Sequence, residues 1–156
     1  MPEFDGQLRP VGRVVLIVSR YNELVTGKLL AGAHACCKEA GIADDHVDTV
    51  WVPGAFELGV AALAAARSGR YGAIVALGAV IRGETPHFDF VATETTRQLG
   101  NVVGATGVPV GFGLLTTDDM DQALARAGGA AGNKGHEACD AAIRAADVVR
   151  QLREAR

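Results

Sequence analysis

Residues able to bind anions and transfer protons follow one apolar run, residues 73–81, which reads AIVALGAVI. Glu84, Thr85 and His87 come within the next six residues, with Pro86 between the last two. Thr85 suits the N-cap of a helix and Pro86 its first position, so the pattern predicts a helix from residue 86. The start of that helix favours an anion, and its positive end keeps the imidazole of His87 neutral and able to accept a proton.

Other side chains suited to ligand binding accompany the remaining predicted strands. Tyr21 follows the first strand, Phe56 and Glu57 follow the second, and Phe112 belongs to the fourth. If the strands are parallel, their carboxyl ends share one edge of the sheet, where open α/β sheets bind ligands. Together with His87, these residues offer aromatic faces to a flat heterocycle, a carboxylate to hydroxyl groups and one titratable imidazole.

Each of these residues also has a purely structural explanation. Phe56 fits a hydrophobic core, Glu57 a solvated helix start and His87 an exposed surface. Arg126, near the end of a predicted helix, is explained equally well by interaction with the helix dipole. The functional interpretation therefore depends on the shared edge of the sheet and not on any single residue.

Strand and helix patterns alternate along the chain, which predicts an α/β fold. Strands are predicted at Arg13–Ser19, Val47–Val52, 73–80 and 109–115; helices are predicted at 23–40 (closed by Gly41), 55–67, 86–99, 118–127 and, after a glycine-rich linker at 128–135, to the end of the chain. We expect a flavodoxin-like three-layer sandwich, with a four-stranded parallel sheet and helices on both faces. A short strand at 4–8 is expected to pair with a neighbouring subunit instead of joining the main sheet.

Length, charge and cysteine content narrow the functional classes. The 156 residues, 49% of them hydrophobic, fit a single domain spanning 1–156. A net charge of −3 without a basic stripe argues against nucleic acid, and the interruption of every apolar run argues against a membrane span. Cys36, Cys37 and Cys139 are interpreted as small buried residues in a reducing cytoplasm. The sequence shows no metal-ligand spacing.

Five motifs occur in order: Ser19-Arg20-Tyr21-Asn22, Pro53-Gly54-Ala55-Phe56-Glu57, Arg82-Gly83-Glu84-Thr85-Pro86-His87-Phe88-Asp89, Phe112-Gly113-Leu114-Leu115-Thr116 and Gly132-Asn133-Lys134-Gly135. With them the sequence resembles the 6,7-dimethyl-8-ribityllumazine synthase family, from about residue 4 to residue 152. The resemblance implies a transferase that condenses 5-amino-6-(D-ribitylamino)uracil with 3,4-dihydroxy-2-butanone 4-phosphate. This is the penultimate step of riboflavin synthesis. The resemblance implies neither a metal nor an organic cofactor.

The resemblance also implies roles for particular residues. The ribitylaminouracil would be held by Tyr21, Ala55, Phe56, Glu57, Ala79, Val80, Ile81, Phe112 and Lys134. The phosphate of the four-carbon substrate would be held by Glu84, Thr85 and Arg126, and His87 would transfer protons. Phe112 would close over the heterocycle from a neighbouring subunit. Tyr21 stands where the family usually has phenylalanine or tryptophan, which adds a hydroxyl group to the stacking face.

An assembly is implied as well: a ring of five subunits, twelve of which close into an icosahedral shell, with riboflavin synthase as a candidate partner. Gly129 and Ala130 stand where many shell-forming relatives have threonine and lysine, which weakens the case for the shell. Two other functions stay open at this point. One is a flavin- or nucleotide-binding module on the same fold, and the other is a structural shell protein whose site has decayed.

Overall fold

Four parallel strands form the central sheet of the computed structural model, which describes residues 1–155. The strands are β1 (Arg13–Ser19), β2 (Val47–Val52), β3 (Tyr71–Ile81) and β4 (Val110–Thr117), in the spatial order β2-β1-β3-β4. The strand order reverses between β1 and β3, so their carboxyl ends flank the crevice where sheets of this kind bind ligands. The predicted flavodoxin-like α/β architecture is confirmed.

Helices cover both faces of the sheet. They are α1 (Glu23–Glu39), α2 (Leu58–Arg67), α3 (His87–Thr106), α4 (Met120–Ala125) and α5 (Lys134–Glu154). Alternate residues of β1 enter two separate cores: Val14, Leu16 and Val18 pack with α1 and α5, whereas Val15 and Ile17 pack with α2 and α3. A strand between two apolar layers must be apolar throughout, which explains the uninterrupted hydrophobic runs of β1 and β3.

The N-terminal segment is not a strand in the single chain, contrary to the strand expected at residues 4–8. Its polar groups bond to α5. The backbone N–H of Gln7 donates to Asp147 at 2.9 Å, the guanidinium of Arg9 donates to the same carboxylate at 2.7 Å, and Arg144 donates to the carbonyl of Gly6 at 3.1 Å. A strand needs a partner edge, so the expected pairing with a neighbour stays a prediction.

The prediction of a glycine-rich linker at residues 128–135 was wrong, because this segment has regular secondary structure. The chain makes a small antiparallel hairpin, β5 (Ala127–Gly129) and β6 (Gly132–Asn133), and α5 already begins at Lys134. Gly128 and Gly132 have φ values of 105° and 82°, which only glycine adopts readily. Asn133 caps α5, because its side-chain oxygen accepts from the backbone N–H of Gly135 at 2.8 Å.

The boundaries of α3 differ from the expected 86–99 at both ends. The helix begins at His87 with Pro86 at the N-cap, and the Thr85 hydroxyl, 3.5 Å from the His87 nitrogen, is too distant to cap it well. It continues to Thr106, where Gly107 closes it in the left-handed conformation. Elsewhere the differences are small: α4 is shorter than expected, and residues 55–57 form a 3₁₀ turn before α2.

The three cysteines are buried and free, as the sequence indicated. The sulfur atoms of Cys37 and Cys139 are 3.5 Å apart between α1 and α5. Hydrogen bonds from the Cys139 thiol, first to Cys36 and then to Cys37, raise the pKa of Cys139, and burial raises it further. Across residues 1–155, none of the helices is long and apolar enough to cross a membrane.

Candidate functional site

Two adjoining hollows at the carboxyl edge of the sheet form one depression, here called the strand-end cleft. The larger, of about 720 Å³, is lined by Tyr21, Gly54, Ala55, Phe56, Glu57, His87, Phe90, Val91 and Glu94. The smaller, of about 370 Å³, is lined by Tyr21, Asn22, Ala55, Ala79, Val80, Ile81, His87 and Val91. The cleft lies at the crevice between β1 and β3, where the topology places a ligand site.

Tyr21 forms one wall of the cleft. Its backbone N–H donates to the carbonyl of Pro53 at 3.0 Å, and the next residue, Asn22, turns the chain into α1 with a left-handed φ of 62°. The ring is 70% exposed and lies against Gly54. A Cβ atom at Gly54 would lie only 2.7 Å from Cδ2 of the ring, so the absent side chain makes room for it.

Glu57 is held by the turn that precedes α2. One of its carboxylate oxygens, Oε1, accepts from the backbone N–H of Gly54 at 3.0 Å. This contact fixes the side chain in the cleft and leaves the second oxygen for another donor. Phe56, on the same turn, is 50% exposed and is therefore not the core residue that one interpretation of the sequence allowed.

The end of β3 supplies a backbone wall. Ala79, Val80 and Ile81 all line the smaller hollow. The side-chain amide of Asn22 donates to the carbonyl of Ala79 at 3.0 Å, which ties the start of α1 to the end of β3 across the crevice. Asn22 was not singled out from the sequence, although its left-handed conformation is typical of asparagine among residues other than glycine.

His87 lines both hollows from the first turn of α3. The exposed residues Glu84 and Thr85 precede it on the loop from β3. No side chain in residues 1–155 caps the start of α3 well, so its first backbone N–H groups are available to an anion.

Three further cleft residues share the face of α3 that carries His87. Phe90, Val91 and Glu94 follow His87 by three, four and seven positions, the spacing of one helical face. Sequence reasoning missed all three, although this spacing could have found them once His87 was placed on a helix. Hydrogen bonds from Arg97, and secondarily from Gln98, lower the pKa of Glu94 to about 2, so the cleft carries this carboxylate in its charged form.

Besides Glu84 and Thr85, which lie on the loop before His87, three of the predicted site residues do not line the cleft. Phe112, 45% exposed, lies beside Ala76 in the register of β4 against β3, well before the carboxyl end at Thr117. The expectation that it shares the edge with the other strand-end residues was therefore wrong for the single chain. It lines a separate hollow on the outer side of β4 with Thr96, Leu99, Gly100, Val103 and Val110.

The other two lie after β4. Arg126 ends α4 and donates from its guanidinium to the carbonyl of Gln122 at 3.0 Å. Lys134 begins α5, with its ammonium group 3.9 Å from the carboxylate of Glu137. Both are outside the cleft. One chain therefore brings together Tyr21, residues 54–57 after β2, the end of β3 and the first turns of α3, and leaves the groups of β4 and the following segment elsewhere.

The comparison with known protein families gives one match that covers most of the chain. Residues 12–150 match the family model described as 6,7-dimethyl-8-ribityllumazine synthase. The matched region contains all five motifs named in the sequence analysis and every residue of the strand-end cleft.

Proposed function

We infer the roles of the site residues from one premise: the chain belongs to the 6,7-dimethyl-8-ribityllumazine synthase family. It is thus a transferase of riboflavin synthesis, and it condenses 5-amino-6-(D-ribitylamino)uracil with 3,4-dihydroxy-2-butanone 4-phosphate. The family acts on small molecules and assembles as oligomers. One observation supports the assignment of roles. In a single chain the strand-end cleft is lined by Tyr21, Glu57 and His87, whereas Phe112, Arg126 and Lys134 lie outside it.

The ribitylaminouracil occupies the crevice between β1 and β3 in this proposal. The exposed ring of Tyr21 stacks on the pyrimidine, and the backbone of residues 79–81 bonds to its polar edge. Ala55 and Phe56 hold the far side, and the second carboxylate oxygen of Glu57 accepts from the ribityl hydroxyl groups. The fixed carboxylate of Glu57 and the open face of Tyr21 support this placement.

The phosphate of the four-carbon substrate lies at the start of α3. Backbone N–H groups at Glu84, Thr85 and the first helical turn donate to it, and the helix dipole favours its charge. The guanidinium of Arg126 from a second copy completes the anion site as a charged donor pair. The support for this proposal is the uncapped start of α3 beside the cleft.

His87 transfers the protons of the reaction. The amine of the uracil adds to the ketone, water leaves to form an imine, phosphate is eliminated, and ring closure releases a second water. Addition, loss of water and ring closure move protons at nitrogen or oxygen atoms, whereas the elimination removes a proton from the carbon between the imine carbon and the carbon that bears the phosphate. A positioned imidazole contributes roughly 10²–10⁴-fold to such steps. Holding both substrates in reactive contact contributes the larger share. His87 lines both hollows proposed for the ribitylaminouracil and also begins α3, where the phosphate is proposed to bind, so it is adjacent to both proposed substrate positions.

The neighbouring subunit supplies Phe112, Arg126 and Lys134. Phe112 is the second aromatic face over the heterocycle, and Lys134 lines the same pocket. A head-to-tail contact brings one flank of a subunit to the other flank of the next, which generates a closed ring. We propose a ring of five subunits, and twelve rings in a shell. Riboflavin synthase is the candidate partner of that shell.

Two further proposals concern the domain organisation and the compartment of the reaction. The chain is one functional unit over residues 1–156, since both cores share the single sheet. The reaction takes place in the cytoplasm, which fits three cysteines that are buried and free.

The division of roles is tested by comparing two variants in the condensation assay, followed through the fluorescence of the lumazine. Arg126→Ala should raise the KM for the butanone phosphate, and Arg126→Lys should recover part of the affinity, because lysine keeps the charge but not the paired donors. His87→Ala should lower kcat with little change in either KM. Equal effects of both variants on both parameters would refute the division. Tight flavin binding without condensation by the unmodified protein would instead favour a flavin-binding module.

A further inference from the structure

One side chain contacts both ends of the loop that carries the proposed phosphate-binding residues. Arg82 directly follows β3, and the loop, residues 83–86, runs from Arg82 to the start of α3 at His87. The guanidinium of Arg82 lies over the ring of Phe88, with its central carbon 4.4 Å from the ring centroid. Its NH1 nitrogen is 3.7 Å from Oδ1 of Asp89. The residue that precedes the loop therefore contacts the first turn of α3, directly after the loop.

The end of β4 supplies a second support for the same side chain. The Nε atom of Arg82 donates to Oδ1 of Asp118 at 3.1 Å, and the backbone N–H of Arg82 donates to the carbonyl of Thr117 at 2.8 Å. The ring of Phe88 is 9% exposed and thus belongs to the packed interior. The guanidinium is consequently held between a fixed aromatic ring and carboxylates from two different elements.

The loop itself has few other contacts that could fix its shape. Glu84 and Thr85 are exposed, and a Cβ atom at Gly83 would meet no heavy atom within 4 Å. Such a loop samples several conformations, and a ligand that needs one of them must restrict the others when it binds. Contacts that join the two ends of the loop reduce this cost before the ligand arrives.

We propose that Arg82 is a positioning residue for the phosphate site: it holds residues 83–86 in the shape that binds the phosphate of the four-carbon substrate. This inference rests on the proposed function of that loop. The charge of Arg82 acts on Asp118 and Asp89, and the phosphate is bound by the backbone that Arg82 fixes. A direct phosphate ligand such as Arg126 would act by a different route, and the two routes give opposite predictions for Asp118.

The test compares Arg82→Gln, Arg82→Lys and Asp118→Asn in the complete assembled protein. Two exposed ion pairs and one cation–π contact together favour the binding conformation of such a loop over the others by about tenfold. Arg82→Gln should therefore raise the KM for the butanone phosphate about tenfold. The KM for the ribitylaminouracil should stay the same. Arg82→Lys should recover part of the effect, and Asp118→Asn should raise the same KM about threefold. Arg70→Gln is the control, because that guanidinium also combines an ion pair, 3.5 Å from Asp48, with a cation–π contact to Tyr71, and it precedes the amino end of β3, away from the cleft.

Hydrogen exchange provides a readout that does not depend on the reaction. In Arg82→Gln, the amides at positions 82 and 89, which flank the loop and donate to the carbonyls of Thr117 and Pro86, should exchange about tenfold faster than in the unmodified protein, while those of β3 stay the same. Unchanged exchange at both ends of the loop would overturn the proposal even if the KM rises. A lower KM in Asp118→Asn would also overturn it, since freeing Arg82 would then improve a direct contact with phosphate. If the unmodified protein fails to condense the substrates, the proposed function fails, and the exchange measurement still tests the role of Arg82.

Discussion

Gly54→Ala should impair substrate binding without destabilising the protein. The added Cβ atom would lie 2.7 Å from Cδ2 and 3.1 Å from Cε2 of Tyr21. Carbon atoms in contact prefer about 3.5–4.0 Å, so the ring must retreat by about 1 Å. It can do so because 70% of Tyr21 is exposed. The backbone of Gly54, with φ −139° and ψ 179°, is extended and accepts alanine without strain.

Gly54→Ala should affect the stability of the protein and its kcat/KM to different degrees. Because the ring moves into solvent, the free energy of unfolding should change by less than about 0.5 kcal/mol. The hydrogen bond from Gly54 to Glu57 should remain, since the new Cβ would be 3.4 Å from Oε1 of Glu57, an ordinary contact distance. A displacement of about 1 Å in a group that positions a substrate can cost about 10²-fold in rate. We therefore expect kcat/KM for the ribitylaminouracil to fall roughly 10–100-fold.

The assay is steady-state condensation followed by the fluorescence of the product, with urea unfolding at one fixed protein concentration. Gly27→Ala is the matched control, because a Cβ atom there meets no heavy atom within 4 Å and the residue lies in α1. Gly54→Ala should also have little further effect in a Tyr21→Ala background, where no ring can be displaced. An equally severe loss in that background, or a loss of stability with normal kcat/KM, would refute the reasoning.

Three further predictions concern stability and reactivity. Thr26→Val should lower the free energy of unfolding by about 1–3 kcal/mol in urea titrations, because the buried Thr26 hydroxyl donates to the carbonyl of Ser19 at 2.7 Å; an unchanged midpoint would contradict this. The hydrogen bond to Glu39 raises the pKa of His136, so this pair stabilises the fold fully below pH 6.5 and less as the pH rises through the folded-state pKa. The effect, roughly 0.2–1 kcal/mol for a part-exposed pair, should disappear in His136→Gln across an unfolding series from pH 5 to 9. The three thiols should react with a thiol reagent only at the rate at which the protein unfolds locally, since each cysteine is at most 2% exposed. Rapid reaction of the native protein would contradict this and show that the α1–α5 contact is loose.

Much of the fold could be predicted from the sequence because its two central strands, β1 and β3, are buried on both faces. The runs that form β1 and β3 contain almost only apolar residues, and their alternation with helices leaves few topologies. The errors lie where local signals conflict with tertiary contacts. The helix α3 was expected to end at residue 99, but packing of Val102 into the core carries it to Thr106.

The site was predictable in part for a similar reason. Residues that follow strands reach the carboxyl edge whenever the sheet is parallel, and Tyr21, Glu57 and His87 accordingly line the same cleft. Phe112 does not follow this rule, because it is the third residue of β4 and not the last. Asn22 acts through its backbone conformation and a bond to a distant carbonyl, and neither can be inferred from local sequence.

The sharing of each site between two subunits is tested most directly by mixing His87→Ala with Arg126→Ala. Each variant alone should be almost inactive when the butanone phosphate is kept well below the raised KM of Arg126→Ala. When both are unfolded together in equal amounts and reassembled, a site is whole only where an intact His87 meets an intact Arg126 from the next subunit. Random mixing in a one-directional ring makes roughly a quarter of the sites whole, so about a quarter of the normal activity should return. Variants assembled separately and then mixed should show no recovery. If mixed assemblies form and are no more active than that control, His87 and Arg126 serve the same subunit's site, and the shared-site account is wrong.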